Sequence, residues 1–509
     1  MSQDDVSSEE TLLATRNALK LGGSLLVTWG VAIAMRLVLP RYLGPDNFGA
    51  LSSADAFATT IFVALGLGVN VYVRKEVSVR PSHASDFIGG AFLLRIALSL
   101  AILAAMALVM QRSGQPAALR ELVYLFAIAQ FFVHTNATLS ALLHAKGSVD
   151  GMSVLAVVTK LFWAGGAVLA IATGAGLWGF ALAFLLPEAI ESVVLFVLAG
   201  RDVGLVFRVD TASTRAMLMF SLPYYLNDFA TTAYGKLDVA LLGLLGGSRE
   251  AGFYAAASAI AGLTLLATPL IGWVLMPTLA RAAARSHDEL FHRIQHSTSL
   301  ILGVAIPASL LICLGADLLI GVVFGAAFAP ATLALRILAA TFVVTYVAIV
   351  YAASLLMVER AWALTAISIV GLVVNVTLNL ALVPTSMRFF GEGGGGAGSA
   401  LAMLGTEIAV TTAMIAIVGR RAIHRDTLRM VGKCLVACVL TVIVDRLAAP
   451  LGWARLALDA AVYSITAIAT GAVNTREVVA VARAALRGKA ALSASLESSG
   501  ATDGDSSSI

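Results

Sequence analysis

Charge is what this sequence has least of. Only 13% of its 509 residues are Asp, Glu, Lys or Arg, against ~25% in soluble globular chains. A water-facing surface cannot be built from so few charges over that length. Something other than water must solvate most of the exterior. Cysteine is scarce too. Cys313, Cys434 and Cys438 all lie in apolar stretches. Cys434 and Cys438 share a helical face at i, i+4, but two thiols fall short of a metal site, and nothing points to a disulfide framework. No Gly-x-x-x-x-Gly-Lys-Ser/Thr segment occurs, which disfavours ATP-driven export. The net charge of +4 comes from basic residues in short loops rather than in one patch, so no nucleic-acid partner is expected. The first ten residues are polar and acidic and lack the basic start and cleavage site of a signal peptide. The first apolar segment is therefore expected to stay in the mature protein.

What the sequence has in abundance is apolar stretches long enough to cross ~30 Å of hydrocarbon at ~20 residues each. They run near 19–40, 47–72, 87–110, 120–144, 152–173, 176–199, 216–243, 251–277, 297–324, 331–357, 362–385, 397–418, 431–449 and 453–473. Backbone groups in lipid must be satisfied within the segment, so these stretches read as helices. The alternation of a β-barrel is absent. The expected fold is an all-α polytopic membrane protein of about 14 transmembrane helices. With the N-terminus inside, 22 Lys and Arg fall in cytoplasmic loops and tails and 6 in outer loops. That asymmetry places both termini in the cytoplasm. The glycine run at 393–396 reads as a flexible outer connector. Residues 478–486 form a basic amphipathic stretch suited to a membrane surface, and the Ser-rich 493–509 reads as disordered.

The two halves resemble each other. Leu43-Gly44-Pro45-Asp46-Asn47-Phe48-Gly49 joins the first two stretches, and Gly246-Gly247-Ser248-Arg249-Glu250-Ala251-Gly252 joins the seventh and eighth. Gly44 aligns with Gly247, and Gly49 with Gly252, at a spacing of 203 residues. A second pair follows: 179–183 precedes Glu188, and 398–402 precedes Glu407. Six spans separate the related segments, so the repeats share one orientation and are related by an axis along the membrane normal. The expected division is a tail at 1–18, a six-helix lobe at 19–199, a linker at 200–215, a second six-helix lobe at 216–418, a helix pair at 419–473 and a tail at 474–509.

Six basic residues fall inside the spans: Arg36, Arg95, Lys160, Lys236, Arg336 and Arg446. A charge at mid-bilayer costs ~2.5–3.5 kcal/mol or more, so it faces a cavity or a partner. Arg95 and Lys160 lie about eight residues from the cytoplasmic end, or ~12 Å deep. Two readings stand for these cations. In one, Arg36, Arg95 and Lys160 line a cavity that grips an anion such as diphosphate, joined by Lys236 and Arg336. In the other, each pairs with an acid as structural glue. The intramembrane carboxylates Asp55, Glu188, Asp228, Asp238 and Glu407 are candidates either for coupling to a proton or sodium gradient or for helix–helix hydrogen bonds. His134, Asn375 and Asn379 read as polar packing residues. No metal or cofactor is expected beyond a coupling H+ or Na+.

The segments Arg41-Tyr42-Leu43-Gly44-Pro45, Phe48-Gly49, Gly66-Leu67-Gly68 and Arg74-Lys75-Glu76 resemble the first half of Wzx-type polysaccharide-export flippases of the MOP superfamily. Lys236-Leu237-Asp238, Gly246-Gly247 and Ala251-Gly252-Phe253-Tyr254 resemble their second half. The resemblance spans most of residues 20–420. It implies two six-helix lobes plus two helices, and an inner-membrane flippase for undecaprenyl-diphosphate-linked oligosaccharide working from the cytoplasmic to the periplasmic leaflet. It also implies, as partners, membrane lipid, a polysaccharide polymerase and a chain-length regulator. The rivals are a multidrug exporter of the same superfamily, a lipid II flippase, and a membrane-bound polysaccharide polymerase or glycosyltransferase. Deep cations argue against the first, and the lack of a long outer loop against the last.

Overall fold

The apolar stretches form helices in the computed structural model, which describes residues 3–77, 84–112, 114, 116–147, 150–419 and 424–472. The tail at 474–509 lies outside those residues. In chain order the helices are α1 (Gln3–Phe62), α2 (Val69–Tyr72), α3 (Ala84–Arg112), α4 (Ala117–Lys146), α5 (Asp150–Thr173), α6 (Gly176–Leu198), α7 (Thr211–Leu245) and α8 (Gly247–Ala261). They continue with α9 (Thr268–Arg285), α10 (His287–Leu314), α11 (Ala316–Val323), α12 (Ala331–Met357), α13 (Ala361–Phe390), α14 (Gly394–Val418), α15 (Arg425–Leu447) and α16 (Ala454–Ala469). No strand occurs among the described residues. The stretch before the first span, expected as a polar tail, is already helical from Gln3.

Among the described residues ten helices are long and apolar enough to cross a membrane. The fourteen expected stretches give only ten such helices for local reasons, and α7 is not among the ten. α1 carries two of them, joined at Gly44 (φ 72°, ψ 167°). Pro45 forbids helical backbone on the residue before it, and only glycine adopts that positive φ without strain. α8 and α9 divide one stretch, and α10 and α11 divide another at Gly315. α16 has 16 residues. Large apolar side chains such as Leu26, Phe162, Val193, Val304 and Ile465 stay exposed, as a surface solvated by acyl chains requires.

Two helix breaks fall at equivalent places in the repeat. After Phe62 the chain tightens into a 3-10 turn (Val63–Gly66) and passes through left-handed Leu67 (φ 51°) and Gly68 (φ 66°). After Ala261 it tightens again (Gly262–Ala267) before α9. Carbonyls freed at these breaks must find donors elsewhere. Leu65 O accepts from Arg95 Nε at 3.0 Å, and Thr264 O accepts from Tyr346 Oη.

Each half has its own apolar packing. α1, α3, α4 and α6 enclose Phe62, Leu65, Leu122 and Phe126. α8, α11, α12 and α14 enclose Phe253, Phe328, Leu335 and Ala400. The α15–α16 pair packs through Cys434 and Tyr463 on Leu302 and Ile306 of α10. The expected boundary at 216 is blurred by α7, because Met217 belongs to the core of α2, α3 and α4. A Cβ on Gly90 of α3 would lie 2.0 Å from Thr214 Oγ1, and one on Gly68 would lie 2.7 Å from Ser221 Cβ. The start of α7 therefore docks on the first half, while its later part packs on α13 of the second.

Candidate functional site at the joint between the halves

The repeat glycines meet each other. A Cβ on Gly49 would stand 1.7 Å from Ser248 O, and one on Gly252 would stand 2.0 Å from Pro45 O. With the 203-residue offset, Pro45 corresponds to Ser248 and Gly49 to Gly252. The two contacts are therefore the same contact made twice, as a two-fold axis between repeats demands. Backbones this close leave no room for any side chain but hydrogen. This seam lies at the end of the bundle that carries the Gly44 and Gly247 turns, outer in the orientation expected from charge.

The seam is reinforced from both halves. Arg249 bridges Asp46 (3.8 Å) and Glu392 (2.8 Å). Arg41 donates to Val322 O at 3.2 Å, and the Phe48 and Phe328 rings stack edge-on at 6.4 Å. Deeper along the joint, Lys236 of α7 stands 3.4 Å from Asp55, with 39% of its side chain exposed. Gln130 donates to Thr59 at 2.9 Å and Thr59 to Asp55 at 3.4 Å, so this pair ends a polar chain reaching into α4. A Cβ added at Gly22, Gly23 or Gly30 meets nothing within 4 Å, and the same holds at Gly262. The halves are thus joined at the outer end.

Glu250, beside the seam, is buried. Its two oxygens accept from Gly393 N (2.7 Å) and Gly396 N (3.1 Å). These are the free amides at the start of α14, where a carboxylate is favoured by the helix dipole. The glycine run 393–396 is therefore a tightly packed helix start rather than the flexible connector expected from composition. A Cβ on Gly393 would lie 2.4 Å from Pro330 O, and one on Gly394 2.5 Å from Ser386 O. Four small residues look alike in sequence whether they are loose or crowded, and only the neighbours distinguish the two.

The second half holds a buried carboxylate cage. Asp238 Oδ1 accepts from Asn375 (2.9 Å) and Asn379 (2.7 Å), and Oδ2 accepts from Tyr254 Oη (2.9 Å). Ser399 donates to Asn379 Oδ1 at 3.0 Å. Glu407, also buried, accepts from Tyr234 Oη at 2.8 Å. The sequence marked Asp238 and Glu407 and the shared face of Asn375 and Asn379. It placed Tyr254 and Ser399 only in repeat or family segments and did not mark Tyr234, since the roles of all three depend on four helices converging.

The first-half cations have different surroundings. Arg95 is 2% exposed. Its donors go to Leu65 O and to Thr138 Oγ1 (3.1 Å), which in turn donates to Asn70. The guanidinium closes the break after α1 instead of fronting an open cavity. His134 and Asp228 flank the same break, each about 4 Å from a Cβ built on Gly66. Lys160 is partly exposed, with its ammonium 5.2 Å from the Trp163 ring centroid. Glu188 accepts from Asn136 at 3.0 Å, and Ser192 donates to the same Asn136 side chain. Arg36 is exposed, between Met35, which packs toward α5 and α6, and Leu37, which packs toward α8. Arg336 joins none of these. It faces Asp317 at 3.7 Å, which Arg455 holds at 2.7 Å. Among the described residues no group of three or more His, Cys, Asp or Glu is placed to hold a metal ion.

Residues 38–333 match the family described as polysaccharide biosynthesis protein. The chain is similar to a probable low-salt glycan biosynthesis flippase of Haloferax volcanii, 21% identical over 357 residues covering 67% of this chain and 72% of that one. Its fold is similar to lipid II flippase MurJ in an inward closed conformation (TM-score 0.67, 11% identity, 87% of this chain and 97% of that one). It is also similar to an inward-facing MATE-family multidrug resistance transporter of the MOP superfamily (TM-score 0.61, 16% identity, 77% and 94%). The family match covers more than half of the sequence, and the multi-pass helical fold agrees with it. The chain belongs to the polysaccharide biosynthesis protein family, and its fold is similar to those of the flippase and transporter structures above.

Proposed function

We propose that this chain carries an undecaprenyl-diphosphate-linked oligosaccharide from the cytoplasmic to the periplasmic leaflet of the bacterial inner membrane, with both termini in the cytoplasm. The observation that carries the reading is Lys236, a partly exposed ammonium on the 35-residue α7, tied across the joint to Asp55 at 3.4 Å. An ion pair this exposed contributes ~0.2–1 kcal/mol. A diphosphate offers more negative charge and more acceptors than one carboxylate, so it can take Lys236 from Asp55. Loss of that tie frees one of the contacts between the halves. Substrate binding and separation at the outer seam are then one event, and the halves rock about the α1 and α7 contacts. Arg36 and Lys160, both accessible, add positive charge on the first-half side.

Coupling to a proton or sodium gradient is assigned to Asp238. Its cage offers a carboxylate with two carboxamides and a phenol, and the amides can turn their oxygens inward to meet a cation. The test is leaflet-resolved tracking of a labelled lipid-linked oligosaccharide in vesicles containing the purified chain. Movement well above protein-free vesicles supports the function. No movement of the oligosaccharide, with movement of lipid II or drug efflux instead, overturns it.

A further inference from the structure

A concavity of about 240 Å³ opens between α10 and α15, away from the joint. It is smaller than the ~300–1,000 Å³ of a site for a drug-sized molecule, and suits a single headgroup. His292, Gln295, His296 and Ser299 of α10 and His424 and Thr427 beside or in α15 line it. All six side chains carry hydrogen-bond donors or can do so. The lining has one carboxylate, Asp426, which Arg429 pairs at 3.2 Å. His424 Nδ1 accepts from the Asp426 backbone N–H at 3.2 Å as the cap of α15. Arg293 and Arg425, adjacent to lining residues in sequence, are exposed. Three imidazoles in the lining and three exposed guanidiniums beside it, Arg293, Arg425 and Arg429, favour an anion over a cation.

The surface below the pocket is apolar. His292, His296, Leu300 and Val304 follow at i, i+4 and so form one stripe along α10. The stripe turns from imidazole to hydrocarbon, with Leu300 40% and Val304 71% exposed. Met430 closes the α15 side and packs on the cluster that joins α15 and α16 to α10. A ligand with a phosphate at one end and acyl chains at the other matches both parts. A free phosphate matches only the upper one.

We propose that the α10–α15 pocket is a binding site for the phosphate headgroup of an anionic phospholipid, in the leaflet that the orientation proposed above makes cytoplasmic. The lipid seats the α15–α16 pair on α10. The site is separate from the joint, so the proposal does not depend on which substrate the joint carries.

The experiment uses the full chain reconstituted in phosphatidylcholine vesicles doped with phosphatidylglycerol, re-extracted in mild detergent, with retained lipid read by native mass spectrometry. Phosphatidylglycerol is expected to be retained about ten-fold over its share of the mixture. The variant His292→Gln/His296→Gln should lose that enrichment, while Arg201→Gln, an exposed arginine elsewhere, should keep it. Thermal stability in phosphatidylcholine alone, equal to wild type, shows that the double variant is folded. Equal retention by wild type and the double variant overturns the site. If inorganic phosphate displaces the lipid completely, the apolar stripe plays no part and the lipid assignment is overturned in favour of a free phosphate.

Discussion

Gly49→Ala and Gly252→Ala probe the seam with a single methyl group each. The Gly49 methyl would stand 1.7 Å from Ser248 O, and ordinary contact begins near 3.4 Å. The two halves must part by roughly that shortfall, or the helices must bend. Overpacking of this kind costs ~1–3 kcal/mol, and it acts only on the closed outer end. The same 1–3 kcal/mol is a shift of ~5–150-fold in the balance between closed and open. Ser53 is a suitable reporter, because it is buried and packs on Gly243 across the seam. In a background with Cys313, Cys434 and Cys438 replaced, Ser53→Cys should react slowly with a membrane-impermeant maleimide. Adding either alanine should speed that reaction at least several-fold and slow transport. Because the two contacts are copies of each other, both alanines should act alike. The double variant should shift the balance by less than the product of the two, since one separation relieves both clashes. Unchanged labelling in both variants, or a change in only one, would refute the two-fold account of the seam.

Glu250→Ala leaves the buried Gly393 and Gly396 amides without acceptors. At ~1–3 kcal/mol for each orphaned group it should lower thermal stability in detergent clearly, and a melting temperature equal to wild type would remove Glu250 as the cap. Arg95→Met frees Leu65 O and Thr138. It should cost ~1–3 kcal/mol and speed amide exchange around residues 67–70, whereas lost substrate binding at unchanged stability would assign the arginine to the substrate instead. Lys236→Ala should abolish most oligosaccharide movement at normal expression. Asp55→Asn, which removes only the tie, should retain it, and transport by Lys236→Ala at the wild-type rate would exclude the ammonium as the anion contact.

Much of this protein is legible along the chain. Apolar length and scarcity of charge dictate helices in lipid, since no other structure satisfies the backbone there. The Gly44-Pro45 and Gly247 turns follow from local backbone rules, and the repeat shows in glycine spacing. The breaks after Phe62 and Ala261 were not legible, because nothing in 63–68 except its glycines departs from a helical pattern. The purpose of the intramembrane charges was also hidden. Arg95 and Lys236 have the same signature in sequence, a cation amid apolar residues. One satisfies a carbonyl inside a lobe and the other reaches across to Asp55.

The sequence by itself determined the solvent, the helices and the pairing of the halves, because these depend on composition and on spacings within one segment. Tertiary structure alone decided which charges are locked, that 393–396 is crowded rather than loose, and that Gly49 and Gly252 touch. Those facts depend on contacts between different helices, 30 residues apart in the chain for Arg95 and Leu65 and 143 for Glu250 and Gly393, which no local pattern encodes.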